Sequence, residues 1–319
     1  HMYSPYLYAR GSELLCLRDL VDKSINVSNL LPILEPVNAS LDGLNRCLKV
    51  WSGDLIIITN PYQNEYHNNT VNLNNLTQYL SSCFSSNSRL IKGLIVSSTM
   101  SLSFITQWVK SNSTSRIALI YNNPSLSDSE IQNLSSNPAI SYHVVLNILN
   151  NRMMNSQINH IPPNKLILIS DNFNKLARNA DYNGPEFFSD HYKYIGRNLV
   201  GVGDYTITGH VLEPRGGQPS AIAAHLIYKN LQTSDIWIQH FVSNNTERGG
   251  ETIERMFLDV AGKIYNTVPP RKSEFGINIG TNYYYDDFRN NHFPGLPKNK
   301  QYQMTHHLCL MMDLLAGRI

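Results

Sequence analysis

Short apolar runs recur along the chain, separated by segments in which apolar residues return every three or four positions. The runs fall at residues 5–8, 31–37, 54–60, 90–97, 116–121, 140–147, 165–171 and 199–208. Most are apolar throughout, as in Leu55-Ile56-Ile57-Ile58 and Leu166-Ile167-Leu168-Ile169, rather than alternating. Strands buried on both faces of a parallel sheet have this character, because helices cover the outside. Their starts lie roughly 23 to 36 residues apart, about the length of one βα unit.

The segments between them carry the helical period. Leu41, Leu44, Leu48 and Trp51 share one helix face after Ser40, and Leu73, Leu76, Leu80 and Phe84 repeat the pattern. Ser127-Asp128-Ser129-Glu130 has the spacing of a capping box, in which Ser and Glu satisfy each other's free backbone donors. Eight strands joined by crossovers predict an α/β fold, a (β/α)8 TIM-like barrel with a C-terminal helical and loop cap. The alternative is an open doubly wound parallel sheet. After residue 208 the pattern changes. Residues 221–228 fit strand or helix, residues 236–243 are apolar again, and 251–265 form an amphipathic helix. A stretch rich in Gly, Pro, Asn and Tyr covers 266–300, and a last helix carries Met304, Leu308, Met311 and Leu315. The expected organisation is one domain over residues 2–319, with 209–319 completing the barrel and capping it.

Composition narrows the function classes. The chain has 319 residues, 42% of them hydrophobic, and a net charge of +2, so no global field points to nucleic acid or an anionic membrane. No apolar run approaches the roughly 20 residues that a spanning helix needs. His1, ahead of Met2, reads as a remnant of cloning, and the segment that follows has no export signal. Four widely spaced cysteines, Cys16, Cys47, Cys83 and Cys309, form no CxxC pair and read as buried free thiols of a reducing, cytoplasmic compartment. Sequons such as Asn244-Asn245-Thr246 carry no weight there.

In a barrel the chemistry sits at the C-terminal ends of the strands. Glu35, Asp171 and Asp204 end apolar runs and His240 comes late in one, so these are candidate catalytic groups; Arg10 and Asn60 sit at comparable places as binding groups. A lone carboxylate at a strand end can also cap a helix or hold an arginine, whereas several on one rim make a site. The polar, aromatic stretch from Asp171 to His191 stands where a short βα connection belongs. It contributes Arg178 and Asp181 as binding candidates, and Asp190 with His191 as an acid–base pair. Arg215, before Gly216-Gly217, offers an anion contact or a plain turn. No Walker lysine, GxGxxG or GxSxG motif is present, which leaves any cofactor unidentified. The adjacent His306 and His307 point about 100° apart on a helix and would not share a metal. Tyr283-Tyr284-Tyr285 reads as a packed loop.

Tyr6-Leu7, Glu13-Leu14-Leu15, Pro32-Ile33-Leu34-Glu35-Pro36-Val37, Arg178-Asn179-Ala180-Asp181-Tyr182, Gly203-Asp204-Tyr205-Thr206-Ile207 and His306-His307-Leu308 together resemble an uncharacterised bacterial family. That family is distantly similar to the Beta protein of phage satellites. The resemblance spans nearly the whole chain and implies a setting in phage defence, with a nuclease-like partner protein from the same locus. Two readings stand. One is an enzyme acting on a nucleotide or another phosphate-containing polar small molecule by acid–base chemistry. The other is a non-catalytic component that grips a partner protein or nucleic acid, and fold alone does not choose between them.

Overall fold

Strands that are apolar on both sides need cover on both sides, and the apolar runs meet that need by pairing into one parallel sheet. The computed structural model describes residues 1–213, 218–245 and 247–319. The chain divides into two units. The first comprises His1–Arg10, Val27–Asp171 and His191–Tyr205, and the second Gly11–Asn26, Asn172–Asp190 and Thr206–Ile319.

The first unit holds strands β1 (Met2–Tyr3), β2 (Tyr6–Ala9), β3 (Ile33–Pro36), β4 (Leu55–Ile58), β5 (Leu90–Val96), β6 (Ile117–Tyr121), β7 (Ile140–Asn147) and β8 (Leu166–Ser170). The chain then contributes β9 (Gly184–Ser189) to the second unit and returns with β10 (Gly201–Asp204). The order of this nine-stranded sheet is β1-β10-β8-β7-β6-β5-β4-β3-β2, and every pairing is parallel. An α/β unit built on a parallel sheet is what the apolar runs predict.

The sheet curls. Its two end strands, β1 and β2, are separated in the chain only by Ser4 and Pro5. Ser4 N donates to Val202 O at 2.8 Å on one side, while Leu31 N donates to Tyr3 O at 2.9 Å on the other. A methyl group added at Gly203 would lie 1.7 Å from Ser4 O, so only glycine lets the two backbones approach this closely.

Alternation along each strand sorts the side chains into two layers. Leu94, Val96, Ile117, Leu119 and Tyr121 pack with Ile105, Val109, Ile131 and Leu134 from the helices in one fully buried cluster. Each such aliphatic side chain contributes about 1.5–3 kcal/mol by leaving water. The opposite face is filled by residues such as Gly93, where an added methyl would meet Ile56 and Ile120 at 2.9 Å.

The crossovers depart from regular (β/α)8 alternation. They carry α1 (Gly11–Asp22), which falls in the second unit, then α2 (Asp42–Val50), α3 (Thr70–Ser86), α4 (Leu102–Ser111) and α5 (Asp128–Ser135). Helix α5 begins with the expected capping box: Ser127 Oγ accepts from Glu130 N at 3.2 Å, and Ser127 N donates to Glu130 Oε1 at 3.0 Å. Between β7 and β8 three short 3-10 turns, Arg152–Met154, Gln157–His160 and Pro163–Lys165, replace a helix. Pro162 and Pro163 lack the backbone donors that a helix there would use.

Residues 209–319, expected to complete a barrel, add no strand to the parallel sheet among the described residues. In the second unit β9, β11 (Ala223–Lys229) and β12 (Ile236–Val242) form an antiparallel sheet in the order β11-β12-β9. Helices α6 (Ile253–Thr267), α7 (Lys272–Phe275), α8 (Ile279–Arg289) and α9 (Leu296–Leu315) belong with it. The tyrosine triplet lies in α8 rather than a loop, and Tyr284 is fully buried, donating to Asn299 Oδ1 at 2.6 Å. His306 is fully buried on α9, where Nε2 donates to Ile227 O at 2.7 Å and Nδ1 accepts from Asn278 at 3.0 Å.

Candidate active site

Glu35 is the penultimate residue of β3, one before Pro36. Proline restricts its predecessor to extended backbone and cannot donate to a further ladder bond, so the strand ends here with Glu35 held in pleat geometry. Its register partner on β2 is Tyr8, which puts both side chains on one face. Tyr6, two residues earlier, shares that face and donates its hydroxyl to Glu35 Oε1. Gln63, from the loop after β4, donates to Glu35 Oε2 at 2.8 Å. That loop is pinned locally: Asn64 Nδ2 donates to Val37 O at 2.9 Å, and Tyr66 donates its hydroxyl to Asn38 O at 2.8 Å.

Tyr205, just past β10, stacks against this group. Its ring centroid lies 4.8 Å from Tyr6 and 6.5 Å from Tyr8, and Tyr6 and Tyr8 meet edge-on at 5.8 Å. Asp171, just past β8, lies close enough to act electrostatically on Tyr8 and Tyr205. The site is thus a buried carboxyl amid tyrosines, with a second carboxyl beside them and the half-exposed ring of Tyr62 within electrostatic reach of Glu35.

Electrostatics follow from burial. Glu35 is only 1% exposed, and loss of hydration raises its pKa, while the hydrogen bonds from Tyr6 and Gln63 pull the other way. Both donors are neutral. A buried carboxyl held by neutral donors keeps its proton to higher pH than an exposed glutamate, and can both give and take one. The phenols of Tyr6, Tyr8 and Tyr205 are raised, first by burial and then by neighbouring groups that include Glu35, so they remain protonated donors.

Of the residues expected on the rim, Glu35 and Asp171 meet in this group, and Arg10 directly follows β2 at the same strand ends. Asp204 does not join them. It is 4% exposed and accepts from Tyr3 OH at 2.8 Å, and its strand position puts it on the face opposite Tyr205. The side-chain amide of Asn60 spans Ile95, donating to its carbonyl at 3.0 Å and accepting from its N–H at 2.8 Å, which secures the strand end. His191 Nδ1 lies 3.3 Å from Ser170 Oγ in the first unit, whereas Asp190 belongs to the second. Arg178 and Asp181 form an exposed ion pair with each other at 2.8 Å in the second unit. His240 also lies in the second unit, bonded to His225 and Glu186. Arg215 lies outside the described residues.

Sequence reasoning passed over Tyr6, Tyr8, Gln63 and Tyr205. The two-residue period was the available signal: Tyr6 and Tyr8 alternate, and Tyr205 shares the parity of Gly201 and Gly203 on the inner face. Among the described residues no group of three or more His, Cys, Asp or Glu is arranged to hold a metal ion, and no helix is long and apolar enough to cross a membrane. Comparison with family models, with curated proteins and with solved structures finds no match for the chain.

Proposed function

We propose that the first unit is an enzyme in which Glu35 is the acid–base group acting on a nucleotide or another phosphate-containing polar small molecule. The observation that carries this reading is the Glu35 carboxyl, 1% exposed and held by two neutral donors. A scaffold gains little from such a group, because burying an ionisable carboxyl costs several kcal/mol unless a cation offsets it; a proton-transfer site needs it. In this proposal the curled sheet serves as a TIM-like barrel, with residues 2–9 as the strand shared between its ends and the site at the strand C-termini. Tyr62, 49% exposed, offers a ring for stacking on a base or sugar, and Arg10 a guanidinium for phosphate.

The resemblance to an uncharacterised bacterial family distantly similar to the phage-satellite Beta protein supports a setting within phage defence, alongside a nuclease-like partner. The four cysteines, none of them in a disulfide, suit a cytoplasmic setting. A thermal-shift panel of nucleoside mono-, di- and triphosphates and their nucleosides tests the reading. A bound nucleotide at about 100 times its Kd adds about 2.7 kcal/mol to stability. Glu35→Gln is expected to keep that shift and lose turnover, and Arg10→Ala to weaken the shift for phosphorylated ligands only. No shift with any member, or turnover that survives Glu35→Gln, would overturn it.

A further inference from the structure

The antiparallel sheet of the second unit brings two imidazoles and a carboxylate into one line. His225 on β11 stands directly opposite His240 on β12, and β12 pairs with the strand that carries Glu186. The two Nδ1 atoms are 2.7 Å apart, and His240 Nε2 is 2.6 Å from Glu186 Oε2. The Tyr182 ring centroid lies 4.5 Å from that of His225 and 4.8 Å from that of His240, and Phe173 packs edge-on to His225 at 4.9 Å. Tyr182 is itself fixed, its hydroxyl accepting from Leu176 N at 2.8 Å. His225 is 7% exposed and His240 4%, while the Glu186 side chain keeps 36% of its surface in solvent.

Burial keeps both rings neutral. His225 is pushed down to about 3, by desolvation first and by His240 second; His240 is lowered by desolvation against the opposing pull of Glu186. In a line of neutral imidazoles the partners dictate where each hydrogen sits. A carboxylate only accepts, so His240 carries its hydrogen on Nε2 and leaves Nδ1 bare. That bare Nδ1 must accept from His225, which therefore carries its hydrogen on Nδ1 and leaves its lone pair on Nε2.

We propose that Nε2 of His225 is the proton acceptor of a second active site, one that activates the O–H of water or of an alcohol, with His240 and Glu186 as positioning residues. In that step the O–H bond breaks, its electron pair stays on oxygen, and an N–H bond forms at Nε2. The new imidazolium donates through Nδ1–H to His240, whose Nε2–H donates to Glu186, so the carboxylate acts on the positive charge through one intervening ring. None of these residues belongs to the Glu35 site, and the inference stands or falls apart from it.

Two measurements on the full chain test it. Long-range proton–nitrogen spectra of histidine-labelled protein at neutral pH, assigned through His225→Gln and His240→Gln, should show His225 protonated on Nδ1 and His240 on Nε2. If either variant fails to fold, the change in the spectrum on Glu186→Gln assigns the pair instead. Diethyl pyrocarbonate, mapped by peptide mass spectrometry, should acylate His225, and Glu186→Gln should slow that reaction by about tenfold, the factor that one pKa unit represents. A hydrogen on Nε2 of His225, no label on His225 in the folded wild type, or an unchanged rate in Glu186→Gln would each overturn the proposal.

Discussion

Glu35→Gln is expected to stabilise the protein at high pH and leave its stability unchanged at low pH. Burial raises the carboxyl's pKa in the folded state above its unfolded value. Between those two values the folded protein holds a proton that the unfolded chain has released, so stability falls as pH climbs through that window. Below the unfolded pKa both states are protonated and the penalty is absent; above the folded pKa it is complete. Glutamine stays neutral throughout and escapes it. The amide keeps the geometry, because its carbonyl still accepts from Tyr6 and Gln63 can turn its own oxygen toward the new NH2. Each unit by which the pKa is raised corresponds to about 1.4 kcal/mol. For a unit of this size that is roughly 3–5 °C in Tm. Calorimetry of wild type and variant between about pH 4 and pH 9 checks it, with the transitions of the two units followed separately. A variant that loses stability as pH rises would show that the carboxylate is favourably paired, and a difference independent of pH would show that Glu35 does not change protonation on folding; either result refutes the reasoning.

Two further predictions concern the junction of the curled sheet. Gly203→Ala puts a methyl 1.7 Å from the Ser4 carbonyl oxygen, a backbone atom that cannot give way without breaking the pairing of β1 with β10. It should cost more than about 4 kcal/mol, seen as a Tm drop of roughly 10 °C or more, or as a failure to fold; a wild-type melt would show that the junction is loose. Tyr3→Phe removes the hydroxyl that donates to Asp204 and should cost about 1.5–3 kcal/mol, as for hydrogen bonds to charged groups. Asp204→Asn keeps an oxygen to accept that bond and should cost less, and neither change should alter ligand binding at Glu35; loss of binding in Asp204→Asn with an unchanged melt would restore Asp204 to the site.

The parallel sheet was legible because its strands are apolar on both sides. Runs such as Leu55-Ile56-Ile57-Ile58 admit no other cover than helices, and each of the eight runs contributes to the sheet. The irregular crossovers were less legible. The stretch around Pro162 and Pro163 has the length of a helical connection without the capacity to form one. The second unit was obscured for a different reason. Its parts come from three separated stretches, Gly11–Asn26, Asn172–Asp190 and Thr206–Ile319, and the helix α1 reads as an ordinary crossover until its contacts with α9 are known. Local pattern records what a segment forms, and only non-local packing decides which unit buries it.

The site was half legible, and parity explains which half. Ending an apolar strand is a property shared by Glu35 and Asp204, yet the two serve differently because successive side chains on a strand point to opposite faces. Glu35 shares its face with Tyr8, whereas Asp204 lies one residue out of step with Gly203 and Tyr205 and is turned to Tyr3. The glycines themselves encode this. Gly201 and Gly203 are small because the inner face is crowded there, an added methyl at either lying within 3.0 Å of backbone oxygen from Met2 or Ser4. The inward position that follows them is therefore 205, and a tyrosine, not the aspartate, reaches the carboxyl of Glu35 through Tyr6. Strand pairing likewise sets His225, which no strand end marks, directly opposite His240, a candidate already for its place late in an apolar run. A strand-end residue becomes a site residue when its register partner and that partner's neighbour two positions away are themselves polar or aromatic, a condition met at Glu35 by Tyr8 and Tyr6.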